Sequence, residues 1–292
     1  MSVLPFQIGR RVVVTGATSG LGLELSRAFA ALGADVALAV RNPAKGAEAA
    51  ERIRRTGVSG TVAVAELDLS DLASVRAFAD RSPGCEVLVN NAGVMGVPQQ
   101  RSADGYELQL ATNHLGHFAL TNLLLTRITD RVVTVGSASH RTGQLVVDDL
   151  SFERRDYHPY AAYCQSKLAQ LSFMGELGRR LRDAASPVRS LGAHPGYTAT
   201  GIQSGTGNPL FTRVAAIGNA LVGMPPSKGA RSILEAALLD LPSGSYLGPS
   251  GPGELLGAPA PARLAPQAES RELARLLWER SEELTAVSFP LG

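Results

Sequence analysis

The chain has 292 residues, of which 45% are apolar and 18% charged. That composition excludes a disordered chain and leaves ample material for a core. With 28 basic and 26 acidic residues the net charge is +2, and no run of Lys or Arg exceeds two, so the footprint of a nucleic-acid binder is missing. Length alone would suggest about two domains, but single α/β domains commonly reach roughly 250 residues.

Two cysteines, Cys85 and Cys164, lie far apart. No disulfide framework is expected, and no Cys/His set has zinc spacing. A reducing, cytoplasmic setting is the expectation. Residues 1–9 lack the basic start and apolar stretch of a signal peptide, and no run of 18 apolar residues predicts a membrane span.

In chain order the elements alternate. Residues 11–15 (R-V-V-V-T) read as a strand ended by Gly16. Residues 22–32 have helical periodicity, with Leu21, Leu25, Phe29 and Leu32 on one face and Gly33 closing the helix. Residues 35–40 are a second strand, 44–55 a helix with a charged face, and 61–66 a third strand. A helix over 71–80 follows, with Ser70 expected as its cap. Residues 87–90 form a fourth strand, 104–126 helical material, 131–136 a fifth strand, 161–182 a long helix and 188–193 a sixth strand. Apolar strands alternating with helices predict a doubly wound parallel sheet, helices on both faces, in an α/β fold.

Two stretches break the rhythm. Residues 141–159 are an insertion rich in charge and aromatics, and 196–226 are rich in Gly, Thr, Pro and Ser; such long loops are usually functional. A helix over 227–239, a Gly/Pro-rich stretch over 242–266 and an amphipathic helix over 269–285 carrying Trp278 complete the chain. Nothing resembles a linker, so residues 1–292 are read as one domain.

Several motifs carry chemistry. Gly16-Ala17-Thr18-Ser19-Gly20-Leu21-Gly22 follows the first strand and opens the first helix. Glycines there let backbone approach a pyrophosphate at a helix N-terminus. The second strand ends Ala39-Val40-Arg41-Asn42, without the acid that would read a ribose 2′-hydroxyl. A guanidinium in that place grips a 2′-phosphate, so Arg41 points to NADP(H). Asp68-Leu69, after the third strand, suits an adenine edge. Asn90-Asn91-Ala92-Gly93, after the fourth, presents small residues to a planar ligand. Tyr163 and Lys167 stand i and i+4 on the long helix. An ammonium beside a phenol should lower the phenol's pKa toward working pH. Ser137 ends the fifth strand, at the same sheet edge where doubly wound folds bind ligands.

With these motifs in this order the chain resembles the short-chain dehydrogenase/reductase family, and within it the branch that holds retinol dehydrogenases and relatives of the WW-domain oxidoreductase. Thr112-Asn113-His114-Leu115-Gly116-His117-Phe118 and Ala162-Tyr163-Cys164-Gln165-Ser166-Lys167-Leu168-Ala169 carry the closer likeness. The resemblance implies a Rossmann fold and an NADP(H)-dependent oxidoreductase acting on a small-molecule carbonyl or alcohol. It implies Tyr163 as acid-base, Ser137 polarising the carbonyl, Lys167 holding the nicotinamide ribose and Asn113 holding a relay water. Gly16, Thr18, Ser19, Gly20, Leu21 and Gly22 would form the phosphate turn. Asp68, Leu69, Asn90, Ala92 and Gly93 would flank adenine and ribose. Pro195, Gly196, Thr198 and Thr200 would meet the nicotinamide end. One departure is Gly136, where the family often has a second serine. The 25 residues between Ser137 and Tyr163 exceed the spacing of the shortest relatives; the extra segment is expected to border the substrate or an oligomer face.

Other readings carry less weight. His114 and His117, three apart, lack a thiol or carboxylate to complete a metal site, and core packing is expected. A hydrolase built on His194 and Ser137 would need a G-x-S-x-G elbow, which the chain lacks. A dinucleotide sensor without catalysis is the alternative on the same fold; such members tend to lose the Tyr or the Lys, and both are here. Hydride transfer to a hydrophobic ketone or aldehyde is therefore the expected activity, with homo-oligomerisation left open.

Overall fold

A computed structural model describes residues 4–196 and 225–292. Its centre is one eight-stranded sheet in the order β3-β2-β1-β4-β5-β6-β7-β8. Strands β1 (Arg11–Thr15), β2 (Asp35–Val40), β3 (Val62–Glu66), β4 (Cys85–Asn90), β5 (Ile128–Val135), β6 (Arg189–Ala193) and β7 (Tyr246–Pro249) run parallel. Only β8 (Pro259–Pro261) is antiparallel, pairing Leu247 with Pro261. The 242–266 stretch thus hides a hairpin. Its strands are short and proline-bearing, and proline is tolerated on a sheet edge but leaves no strand signature.

Helices cover both faces, which explains why the strands read as unbroken apolar runs. On one face Val12 and Val14 pack with Leu25 and Phe29 of α1 (Gly20–Ala31), Ile53 of α2 (Pro43–Arg54) and Ile233 of α7 (Pro226–Leu238). On the other, Val13 and Leu88 pack with Phe78 of α3 (Leu72–Arg81), Phe118 of α5 (Gly116–Leu124), Phe173 of α6 (Pro159–Asp183) and Trp278 of α9 (Arg271–Thr285). Trp278 lies edge-on to Phe118 and stacked on Phe173, so it packs the last helix as expected.

Three local expectations change. The cap of α3 is Asp71, whose carboxylate accepts from the N–H groups of Ala73 and Ser74, while Ser70 donates to Asp68 instead. The helical material expected over 104–126 starts only at Leu108, where α4 (Leu108–Leu110) passes through a π-helical turn (Ala111–Leu115) into α5. The C-terminal stretch breaks at Ser270, which separates the short α8 (Pro266–Glu269) from α9 and caps the latter through Leu273 N–H.

The insertion is a clamp on α6. Buried Asp149 accepts from the N–H groups of Glu153 and Arg154 and from the Arg155 guanidinium. Gln165 of α6 accepts from Arg155 and donates to the Leu150 carbonyl. Strand order reverses between β1 and β4, so the carboxyl ends of those two strands open the crevice in which such sheets bind ligands.

Candidate active site

On the β1 side the crevice is lined by backbone. Gly16 has φ +69° and Gly20 φ +53°, in the left-handed region that side chains resist. A Cβ at Gly16 would stand 2.9 Å from Ala92 Cα, and one at Gly22 would meet the Gly16 carbonyl oxygen at 2.4 Å. The turns after β1 and β4 can touch only because these positions have no side chain. Ser19 is the N-cap of α1 but makes no side-chain cap bond, so the first N–H groups of the helix stay open to a ligand. Thr18 and Ser19 lie at that mouth, while Leu21 turns into the core.

Thr15 holds the two turns together. Its hydroxyl accepts from the N–H of Asn91 and of Ala92, both at 2.9 Å, and meets His117 Nε2 at 2.9 Å. His117 Nδ1 faces the Asn113 carbonyl at 2.8 Å; a carbonyl only accepts, so Nδ1 carries the proton and Nε2 accepts from Thr15. Burial pushes His117 down to about 4 and keeps it neutral. Its neighbour His114 contacts Ser281 Oγ at 2.8 Å. Sequence reasoning gave Thr15 no role; the signal was a lone hydroxyl following three valines at the end of the strand.

Arg41 is exposed at the end of β2, and Lys45 stands in the first turn of α2, whose N-cap is Asn42. Asp68 Oδ1 accepts from the N–H and the hydroxyl of Ser70, which fixes its carboxylate beside the crevice; Leu69 is buried in the core. The Asn90 side chain is fully buried; its Nδ2 donates to Thr121 Oγ1 of α5, and its Oδ1 has no partner among the described residues.

On the β5 side the crevice is lined by side chains. Asn113 sits in the π turn, a distortion often found at functional sites. Its Oδ1 accepts from Val94 N–H, and its Nδ2 donates to the Val94 carbonyl and to Ser166 Oγ. Gly93 lies so close that a Cβ there would be 3.1 Å from Asn113 Oδ1 and 3.7 Å from Lys167 Nζ. Lys167 is buried and donates to the Val135 carbonyl at 3.1 Å. Ser137, directly past β5, caps a 3-10 turn (Ala138–Thr142) and neighbours the Tyr163 hydroxyl. Thus Asn113, Ser137, Tyr163 and Lys167 converge on one sheet edge.

The electrostatics depart from the expectation that Lys167 makes Tyr163 acidic. Burial pushes the Tyr163 phenol up to about 12, against a smaller downward pull from the Ser137 hydroxyl. Burial likewise pushes Lys167 down to about 7. Its Nζ is 5.9 Å from the centre of the Tyr163 ring. Helical spacing places two groups on one face, but desolvation decides their charge.

The departure at Gly136 has a steric cause: a Cβ there would lie 2.9 Å from the Tyr246 hydroxyl and 3.0 Å from Leu171 Cδ2. His194, set aside as a hydrolase base, is buried against Tyr246. It accepts from Gly196 N–H at Nδ1, which leaves Nε2 to donate to Glu254. Gly196 has φ +70°, and a Cβ there would meet the Leu255 carbonyl oxygen at 2.4 Å. Thr198 and Thr200 lie outside the described residues.

Comparison with known proteins agrees with this geometry. The family model for short chain dehydrogenases matches residues 10–209. Human retinol dehydrogenase 13 is 37% identical, with 97% of this chain and 86% of that protein covered. Mouse polyprenol dehydrogenase is 40% identical over the same shares. A crystal structure of an uncharacterised protein from Mycobacterium paratuberculosis superposes with a TM-score of 0.85 at 47% identity, covering 98% of this chain and 97% of that one. With a glycine turn at the β1–β4 crevice and a Ser, Tyr and Lys set on its far wall, the chain belongs to the short-chain dehydrogenase/reductase family, on its retinol-dehydrogenase-like branch.

Proposed function

We propose that this protein is an NADP(H)-dependent reductase of hydrophobic aldehydes or ketones. The observation that carries the reading is the convergence of Ser137, Tyr163 and Lys167 beside the open N-terminus of α1. The residues present fit a nicotinamide dinucleotide: the glycines let the turns after β1 and β4 close on each other at the crevice, and α1 offers uncapped N–H donors. Gly16, Gly20, Gly22 and those donors would hold the pyrophosphate. The exposed Arg41, at a strand end without a carboxylate, supports the 2′-phosphorylated form.

When bound, the dinucleotide supplies the hydride. Tyr163, held as a phenol at neutral pH, would supply the proton to the carbonyl oxygen in the reductive direction. Ser137 would donate to the same oxygen and orient it. Lys167, its pKa brought down to about 7 by burial, would hold the ribose hydroxyls. Asn113 ties the Val94 backbone to α6 and so fixes the floor on which the ring would lie.

The substrate class rests on partly exposed Met95 and Val97, in the segment that follows Gly93, and on relatives named for retinol and polyprenol. The apolar residues of the 196–226 stretch that could add to such a lining, Tyr197, Ile202, Leu210, Phe211 and Met224, lie outside the described residues. The free thiols of Cys85 and Cys164 support a reducing compartment, and no described helix is long and apolar enough to cross a membrane.

The test is NADPH consumption with n-alkyl aldehydes from butanal to hexadecanal. Activity should rise with chain length, and Tyr163→Phe should keep NADPH binding while losing turnover by roughly 10²–10⁴. Tight NADPH binding without turnover on any carbonyl would instead make the protein a dinucleotide sensor.

A further inference from the structure

The Ser137 hydroxyl does not stand alone. It donates to Ser139 Oγ at 3.2 Å and accepts from Ser139 N–H at 3.2 Å. The Tyr160 hydroxyl donates to the same Ser139 Oγ at 3.3 Å. Tyr160 lies one helical turn before Tyr163 on α6, with ring centres 6.4 Å apart and planes inclined at 32°. Thr142 Oγ1 donates to the Ser139 carbonyl, which holds the 3-10 turn in place. Tyr160 is 51% exposed, an unusual position for an aromatic ring with so little packing to gain.

The protons in this row can run two ways. With no carbonyl present, Ser137 points its proton at Ser139, and the Ser139 oxygen accepts from both neighbours. When Ser137 turns its proton to a substrate oxygen, its own oxygen keeps the Ser139 N–H and has room for one more donor. The Ser139 oxygen is 3.2 Å away and its proton is free to fill that place, while Tyr160 continues to donate to Ser139. All three hydroxyls then point the same way, and each donor in such a row strengthens the next.

We propose that Ser139 and Tyr160 are positioning residues: a hydroxyl row, Tyr160 to Ser139 to Ser137, that turns and strengthens the Ser137 donor toward the carbonyl oxygen. It deepens the function proposed above and rests on it, because it needs Ser137 to act on a carbonyl. The row is a feature of this chain's own residues at positions 139 and 160, and it acts on the chemical step rather than on substrate capture.

The experiment is steady-state reduction of the best n-alkyl aldehyde by NADPH in five variants, with thermal melts to show that each is folded. Ser139→Ala should lower kcat about three- to tenfold, the rate equivalent of one neutral hydrogen bond, with KM within about twofold of wild type. Ser139→Thr, which keeps the hydroxyl, should restore kcat. Tyr160→Phe should lower kcat by less, and should have no effect once Ser139 is alanine, because it acts only through that residue. If Tyr160→Phe costs as much in the Ser139→Ala background as alone, or if Ser139→Ala keeps wild-type kcat while Ser137→Ala loses it, the row is overturned and the proposed reaction stands. If Ser137→Ala itself keeps wild-type kcat, the proposed reaction falls, and the row with it.

Discussion

On the β1–α1 side of the crevice, recognition is built from what is missing: no Cβ at Gly16 or Gly22, no side-chain bond capping the start of α1, no acid at the end of β2. On the β5–α6 side it is built from side chains buried against their chemical interest, a phenol pushed up and an ammonium pushed down. The first kind of site costs little to keep when empty, because backbone and glycine have no charge to desolvate. The second holds polar groups away from water, and that strain is part of what makes them reactive.

The largest test of this contrast is Lys167. Its folded pKa of about 7 lies below the unfolded value near 10.5. Between those pH values the unfolded chain binds a proton that the folded chain does not, so stability rises with pH through that window and is lowest below pH 7. Lys167→Met should abolish turnover yet stabilise the ligand-free protein at pH 6, by on the order of 4 kcal/mol at about 1.4 kcal/mol per pKa unit. The gain should fade toward pH 10. Urea unfolding at pH 6, 8 and 10 measures it, and a gain that does not change with pH would show that Lys167 keeps its charge in the fold.

The opposite behaviour is expected across the crevice. Gly22→Ala places a methyl 2.4 Å from the Gly16 carbonyl oxygen and 2.6 Å from Asn91 Nδ2. Backbone cannot yield as a flexible side chain does, so destabilisation should reach about 3 kcal/mol, the upper end for overpacking. Dinucleotide binding should fall with it while the Tyr163 environment stays intact. Thermal melts together with NADPH fluorescence titration would show both, and a variant that binds NADPH normally would mean the two turns can part without harm.

The smallest effect is also the most selective. Arg41→Ala should weaken NADPH by about 10- to 100-fold, the worth of one charge-assisted hydrogen bond, and leave NADH almost unchanged. Adding Val40→Asp should turn the preference toward NADH. The ratio of kcat/KM for the two cofactors reports it. Equal losses for both would reduce Arg41 to a surface charge.

The same contrast explains what could be read from the chain. Glycine spacing, a missing acid and an i, i+4 pair are positional facts, so the phosphate turn, Arg41 and the shared face of Tyr163 and Lys167 are visible before folding. Charge state is not positional. The depressed Lys167 and elevated Tyr163 arise from burial beneath β5 and α6, which no local window contains. Asn90 read as a cofactor contact because its motif ends a strand; its burial against Thr121 depends on where α5 crosses. Ser70 and Asp71 are both good caps, and the choice between them turned on Asp68 claiming Ser70. The π turn at Ala111–Leu115 leaves no compositional trace at all.

The antiparallel strand β8 has a consequence at the rim of the sheet. The Ala262 N–H bonds inward to Tyr246 of β7 and the Ala258 carbonyl to Ser250 just past it, so the alternate positions Pro259 and Pro261 face outward. Proline has no N–H, and the outward edge of this strand therefore offers a neighbour no donor at either position. A second chain approaching edge to edge finds no ladder to continue, and on this flank the sheet is closed to the runaway strand addition that seeds aggregates.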